Sequence, residues 1–322
     1  MPALTLALLL LFAAPASSTE KPKGIVGESE ACSVVRVIDG DTVDVKIGER
    51  TDRLRLLDID TEESHNSVAK KITPFGLETS AWAKEYVQPG IPCFVEYGPE
   101  RRDVYDRVLA YLWVKREGAW ENYNLTTVKT GRAPYFTKYG YSKNHHEEFA
   151  AAQKDAEEKH VGIWDPANEG NLRGAYLGTA GLIAWWNDRA DSIARFEKEG
   201  RMRPDILDTR WHFDLLRAKS GGPVTVFTSI REPDAKAAGF VGKCEGKISQ
   251  VLQIVAAGGD AKVEDALKAS IGRYRYFRGQ LERGDDGKSL RLTIASTDDI
   301  AVDPPPKPAA APKSPAKGRG KK

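Results

Sequence analysis

The chain has 322 residues, 41% of them hydrophobic and 29% charged, the balance of a soluble globular protein of about two domains rather than of a wholly disordered or multi-span membrane chain. Its net charge of +2 conceals a gradient: residues 25–166 carry 19 Lys and Arg against 25 Asp and Glu, net −6, residues 167–302 carry 21 against 19, and the tail from Asp303 carries 6 against 1, net +5. The acidic first half excludes a simple electrostatic grip on a polyanion there, unless a bound metal and local arginines offset the field.

In chain order, Leu4 to Ala13 is an apolar run of signal-peptide length, too short to span a bilayer, and Ala14-Pro15-Ala16 fits a small-residue cleavage site. Residues 1–19 are therefore expected to be a signal peptide for a secreted or periplasmic chain; a retained anchor is the other reading. No other segment is expected to cross a membrane. Export would place Cys32, Cys93 and Cys244 in an oxidising compartment, and none of the three has metal-site spacing.

Asp39-Gly40 predicts a type I′ hairpin turn, which needs φ > 0 at both central residues. Val43, Val45 and Ile47 then alternate with Thr42, Asp44 and Lys46, the pattern of a strand with one buried face. Asp41 shares the parity of that face, and an inward carboxylate is costly unless a cation or hydrogen-bond donors meet it. Arg55 and Asp60 differ in parity, so they cooperate only if the chain turns near Asp58. Such a turn would gather Asp60, Thr61 and Glu63 beside Asp41. Strands at about 32–38, 41–48, 52–58, 92–98 and 107–115 imply a small closed barrel. Leu77, Ala81, Trp82 and Tyr86 predict a helix over 75–87. Two more helices are expected at about 121–130 and 145–160, the second turning Phe149, Ala152 and Ala156 inward. His145 and His146 point about 100° apart on a helix and read as solvated surface.

Asp39-Gly40-Asp41-Thr42 followed by Arg55 to Glu63 resembles the signature of the staphylococcal nuclease (thermonuclease) family. Asp103 to Leu112 is similar to that family's arginine-bearing strand, Gly76-Leu77-Glu78 through Val87 to its first helix, and Gly162-Ile163-Trp164 to its last turn. The resemblance spans roughly residues 30–166, and the order and spacing of the pieces make it specific. Two positions depart from it: Glu62 stands where the family usually has proline, and Asp106 stands where it usually has glycine, placing a negative charge beside Arg107.

The resemblance implies an OB-like five-stranded barrel with three helices over residues 25–166. It also implies a calcium-dependent nuclease acting on DNA and RNA, single strands favoured, with products ending in 3′-phosphates. Asp41, Asp60 and the Thr61 carbonyl are hard oxygen ligands of the kind Ca²⁺ takes. Glu63 remains as base or water-positioning group, and Arg55 and Arg107 can clamp phosphate oxygens bidentately. Tyr105 and Tyr139 are candidates for stacking on a base. In this family the first and fourth strands are neighbours, which makes a Cys32–Cys93 disulfide one expectation; three small buried residues is the other.

Residues 170–302 carry no such likeness. Leu182, Ile183, Trp186, Ala190 and Ile193 predict a helix at about 179–198, and Leu207, Trp211 and Leu215 a second over Asp205–Lys219, before the break at Ser220-Gly221-Gly222-Pro223. Strands are expected at Val224–Ile230, Lys243–Ser249, Tyr274–Leu281 and Leu290–Ala295, with a helix at 261–270, a layout that suggests a second, OB-like barrel. Arg273-Tyr274-Arg275-Tyr276 interleaves cations and aromatics as single-strand readers do, and as ordinary half-buried strands also do. The Pro/Ala/Lys-rich tail, 303–322, is expected to be disordered and to attract phosphates without sequence preference. Two alternatives to an exported nuclease stay open: a catalytically weak or inactive nucleic-acid-binding scaffold, and an envelope interaction protein whose C-terminal domain sets its role.

Overall fold

The structure is a computed structural model that describes residues 20–65, 72–103, 105–172, 179–237, 239–246, 250–284 and 286–307. The expected signal peptide and most of the basic tail lie outside the described residues. The chain divides into two compact units between Trp186 and Asn187.

The first unit runs β1 (Ser29–Asp39), β2 (Thr42–Ile47), β3 (Arg50–Leu56), α1 (Pro74–Tyr86), β4 (Pro92–Arg102), β5 (Val108–Arg116), β6 (Ala119–Asn122), α2 (Tyr123–Lys129) and α3 (His146–Glu158). β1 pairs antiparallel with β2 and β4, β2 with β3, and β4 with β5. A parallel pairing of β3 with β5 closes the five strands into a barrel, and β6 adds a hairpin on β5. Val43, Val45, Leu54, Leu56, Val95, Ala110 and Leu112 are buried inside. α1 starts where the Thr73 hydroxyl accepts the Gly76 N–H at 2.9 Å and Pro74 supplies a preset φ. It lies one residue from its expected place but turns Phe75 and Ala83 inward. Leu77 and Ala81 face water, while Trp82 is half-buried and stacks on Tyr123.

The second unit takes over within α4 (Thr179–Arg195) and continues through β7 (Ile206–Asp208), α5 (Phe213–Ala218), β8 (Gly222–Pro233), β9 (Gly242–Cys244), β10 (Leu252–Ala256), α6 (Ala261–Ala269), β11 (Tyr274–Arg283), β12 (Leu290–Ile294) and β13 (Ile300–Ala301). β8 pairs antiparallel with β9 and β11, β9 with β10, and β11 with β12, while β10 and β12 pair in parallel. This is the strand order of the first barrel, with α6 in the place of α1 between the third and fourth strands. The expected second barrel is present, and β10, which the sequence reading missed, is its third strand.

The expected helix over Asp205–Lys219 is not formed. Leu207 lies in β7, and the Asp208 carboxylate then accepts the N–H groups of Arg210 at 2.8 Å and Trp211 at 2.7 Å. That side-chain turn competes with helical hydrogen bonding and delays the helix to Phe213. Phe213 and Leu216, not Trp211 and Leu215, face the core. No helix among the described residues is long and apolar enough to cross a membrane.

Candidate active site

The site lies where β1, β2 and β3 meet. Asp39 and Thr42 are paired residues, so the two-residue loop between β1 and β2 is Gly40-Asp41, and neither has positive φ. The expected type I′ turn at Asp39-Gly40 is therefore corrected. Glycine is required at 40 for space: a Cβ there would lie 2.6 Å from Thr61 Cγ2 and 2.9 Å from Thr79 Cγ2. This close approach brings the loop against the segment after β3.

The chain turns where the parity argument requires. Asp58 adopts φ 61°, in the left-handed region, and Ile59 forms a single bridge to Tyr135. The turn folds residues 60–63 back beside Asp41. Arg55 bridges two carboxylates, with Nη1 2.8 Å from Asp41 Oδ2 and Nη2 3.1 Å from Asp60 Oδ1. The Thr61 N–H donates to Asp41 Oδ2 at 3.2 Å, and the Thr42 hydroxyl donates to Asp41 Oδ1 at 2.9 Å. Asp41 is buried, which alone would raise its pKa, but the Arg55 charge and these donors outweigh burial and hold it below the ordinary value. Asp39 goes the other way, raised by burial and by the charge of Asp41. Glu63 is placed by its backbone: its carbonyl accepts the Thr73 N–H at 3.2 Å, and a Cβ at Gly76 would lie 2.1 Å from that oxygen. Glycine at 76 thus lets the start of α1 pack directly on the Glu63 peptide.

Arg107 lies at the edge of this group. Val108 pairs with Leu54, so Arg107 enters the sheet level with Arg53, two residues before Arg55. Its guanidinium is held by Asp103, with Nε 2.8 Å and Nη2 2.7 Å from Oδ2, and it lines a groove of about 470 Å³ with Asp44, Arg53, Arg102 and Tyr105. The carboxylate that engages Arg107 is thus Asp103 and not Asp106, which instead faces Arg102 at 3.5 Å. Asp106 has φ 64°, a backbone state that glycine adopts without strain. Tyr105 and Tyr139 are both exposed, Tyr105 with the Arg107 guanidinium 5.6 Å from its ring centroid.

The arginine–tyrosine strand does not present a stacking surface. Tyr274 and Tyr276 are buried, packed with Phe227 and Phe196, and the Tyr274 hydroxyl donates to Glu245 at 2.8 Å. Arg273 is spent on Asp188 at 3.1 Å, and Arg275 donates to the Tyr274 carbonyl. Alternation on a strand separates the faces, and here the aromatic face is the core.

Sequence reasoning also missed a buried ion network. Glu96 is fully buried, and its carboxylate accepts from Trp113 Nε1 at 2.8 Å, Asn144 Nδ2 at 2.9 Å and the Gly27 N–H at 3.0 Å, and meets His145 Nε2 at 3.0 Å. Burial would raise Glu96, yet His145 and the N–H donors bring it down to about 2. His145 is buried too, contrary to its reading as solvated surface. Burial works against its charge, but hydrogen bonds with Glu96 and Glu148 raise its pKa above the ordinary value. His146 is half-buried against Tyr141 and Tyr135. The only signal was the continuous apolar run Cys93-Phe94-Val95, which Glu96 extends within a strand buried from Cys93 to Gly98.

Cys32 and Cys93 are directly opposed across β1 and β4, with Sγ atoms 2.8 Å apart, while Cys244 is buried in the second barrel.

Residues 53–166 match the family model described as staphylococcal nuclease homologue. A thermonuclease of Staphylococcus intermedius is 31% identical over 138 residues, covering 42% of this chain and 77% of that protein. A thermonuclease of Staphylococcus hyicus is 32% identical over 132 residues, covering 41% of this chain and 73% of that protein. Endonuclease YhcR of Bacillus subtilis is 32% identical over 152 residues, which are 45% of this chain but 12% of the relative. With the barrel, the turn at Asp58 and the acidic–arginine cluster in place, the chain belongs to the staphylococcal nuclease family.

Proposed function

We propose that this protein is an exported, calcium-dependent nuclease that hydrolyses phosphodiester bonds of DNA and RNA, single strands foremost, leaving 3′-phosphates. The observation that carries the reading is Arg55 held between the Asp41 and Asp60 carboxylates beside Thr61. The two carboxylates share the Arg55 cation, and the oxygens they would offer a metal are hard donors. Among the described residues no three His, Cys, Asp or Glu side chains converge on a point. Asp41, Asp60 and the Thr61 carbonyl are the groups that would hold the ion, a ligand type suited to calcium and not to zinc. A calcium ion held by these groups would supply positive charge against the phosphate.

The chain's own residues do the rest. Arg55 and Arg107 each offer a planar fork to phosphate oxygens once they exchange their carboxylates, Asp41 and Asp60 for the first and Asp103 for the second, for substrate. Glu63 takes a proton from the attacking water. The inactive-scaffold reading would treat the Arg55 bridge as an inert ion network. Purified residues 20–322 should degrade denatured DNA and RNA with calcium and stop with a chelator. Undiminished cleavage in chelator would refute the calcium assignment, and no cleavage with any divalent ion would establish the scaffold.

Export and a Cys32–Cys93 disulfide belong to the same reading. The two thiols, already opposed, give up two electrons and two protons to an external disulfide, which becomes a dithiol. In the folded barrel their mutual hydrogen bond and burial raise Cys32. The exported protein should begin near residue 20, weigh two hydrogens less than the reduced chain, and yield one alkylated cysteine, Cys244, after denaturation. Three alkylated cysteines would sink the bridge.

A further inference from the structure

Most arginines of the second unit are paired with carboxylates: Arg189 with Glu245, Arg195 with Asp303, Arg203 with Asp205, Arg231 with Glu232, Arg273 and Arg275 with Asp188, and Arg278 with Asp299. Arg201 differs. It is exposed, and among the described residues it makes no ion pair; its guanidinium lies instead 6.0 Å from the ring centroid of Trp211. Arg210 lies at the same distance from that ring. Trp211 itself is 53% exposed, an unusual state for the side chain with most to gain from burial.

This ring is held out by its backbone. Asp208 accepts the N–H groups of Arg210 and Trp211, and Asp208 is buried. Between them the Thr209 hydroxyl donates to the Glu245 carbonyl at 2.5 Å and bonds Thr228 at 2.9 Å, inside the protein. The loop is therefore nailed to the barrel at 208 and 209, and the tryptophan follows two residues on. Asp208 also faces His212 at 2.8 Å, and Asp205 is held by Arg203. A half-exposed indole on an anchored loop, with the Arg201 guanidinium beside it, has the chemistry of a base-stacking platform, in which the exposed π face takes any base and the cation takes a flanking phosphate.

We infer that Trp211, with Arg201 beside it, is a landing site for single-stranded nucleic acid on the second barrel. It replaces the buried Tyr274–Tyr276 face as that unit's contact. The inference rests on the nuclease reading for its ligand, but its test does not need cleavage. Binding of a fluorescein-labelled twelve-residue oligo(dT) to the full chain is measured by anisotropy in chelator at several salt concentrations, with oligo(rU) as the RNA arm.

Trp211→Ala should weaken binding roughly tenfold, the loss expected for one stacked base, and Trp211→Phe should keep affinity within about threefold. Arg201→Gln should lower the magnitude of the salt slope by about 0.7, one phosphate contact's worth. The same Trp211→Ala change should leave binding of heparin, a polyanion without bases, unaltered. Wild-type affinity of Trp211→Ala for both oligonucleotides would overturn the proposal, as would an equal loss for heparin, which would make the patch a charge site. If the chain binds through Trp211 but cleaves nothing with any metal, only the nuclease reading falls. If it cleaves while Trp211→Ala binds as wild type, only the platform falls.

Discussion

The two barrels share one connectivity and differ in what their loops carry. In the first, the loop after the first strand holds Asp41 and the chain leaving the third strand turns back with Asp60, Thr61 and Glu63. In the second, the corresponding places are the loop between β8 and β9 and the stretch Ala257-Gly258-Gly259-Asp260, whose one acid caps α6 by accepting from Lys262 and Val263. The same five-stranded frame therefore supports a candidate hydrolytic site at one place and a plain helix start at the other. Topology follows from strand patterning, and chemistry follows from a few loop residues.

The buried charges differ as well. The first barrel neutralises Glu96 with a histidine, and the second neutralises Glu245 with Arg189, which is fully buried and bidentate at 2.9 and 3.0 Å. Histidine can lose its charge within the physiological range and arginine cannot.

The largest effect is expected where the barrels differ most. Arg55→Ala should lower kcat on a short oligonucleotide by ~10³-fold, because it removes a phosphate clamp and leaves Asp41 and Asp60 facing each other uncompensated. Arg55→Lys should recover little of it, since an ammonium cannot hold both carboxylates in a fork. Steady-state kinetics on both variants decide this, and near wild-type turnover in Arg55→Ala would make the bridge ornamental. Glu63→Gln and Arg107→Ala should each cost ~10²-fold in kcat with the fold intact by circular dichroism. Asp103→Asn, which loosens the Arg107 pairing, should instead lower KM.

Much of the first site was legible in the sequence. The inward parity of Asp41 called for a cation or donors, and cooperation of Arg55 with Asp60 called for a turn near Asp58; the structure has Arg55 and two donors on Asp41, and the turn at Asp58. The type I′ turn was misjudged because Asp-Gly signals a hairpin only by backbone freedom, whereas Gly40 is present to clear Thr61 and Thr79. The helix over Asp205–Lys219 failed because a buried Asp208 outbid the helix for two N–H groups, which spacing alone cannot reveal. Glu96 and His145 are 49 residues apart, so their pairing exists only after the barrel closes.

That pairing sharpens the comparison through pH. Glu96 has a depressed folded pKa, about 2, so its stabilisation is present above its ordinary value near 4.5 and is lost as pH falls toward 2. His145 has a raised folded pKa, so its stabilisation is full below its ordinary value near 6.5 and is lost as pH rises through the folded value. The first barrel should thus be most stable between these limits and weaken on the alkaline side. The arginine-paired second barrel should lack that alkaline arm. His145→Gln should cost ~3 kcal/mol near pH 6, the scale of a buried charge left unpaired, and abolish the alkaline dependence. Denaturant unfolding across pH, followed by hydrogen exchange resolved to each unit, tests both. A flat alkaline profile in wild type would mean that His145 is not charged in the native state.

The smallest effect concerns the strand whose alternation reads two ways. If Tyr274 and Tyr276 touched nucleic acid, their hydroxyls would be dispensable for folding and their rings essential for binding. Their burial predicts the reverse. Tyr274→Phe removes one donor to Glu245, which keeps both contacts to Arg189, so the second unit should lose ~1 kcal/mol, a single hydrogen bond's worth. Tyr276→Phe removes a hydroxyl with no hydrogen-bond partner among the described residues and should be neutral or slightly stabilising. Neither change should move the dissociation constant of the oligonucleotide or its salt slope, because both rings stay in place within the aromatic cluster of Phe196 and Phe227. Urea midpoints and oligonucleotide anisotropy on the same preparations separate the outcomes. A binding loss in Tyr274→Phe without a stability loss would return the arginine–tyrosine strand to the surface and remove the reason for assigning contact to Trp211.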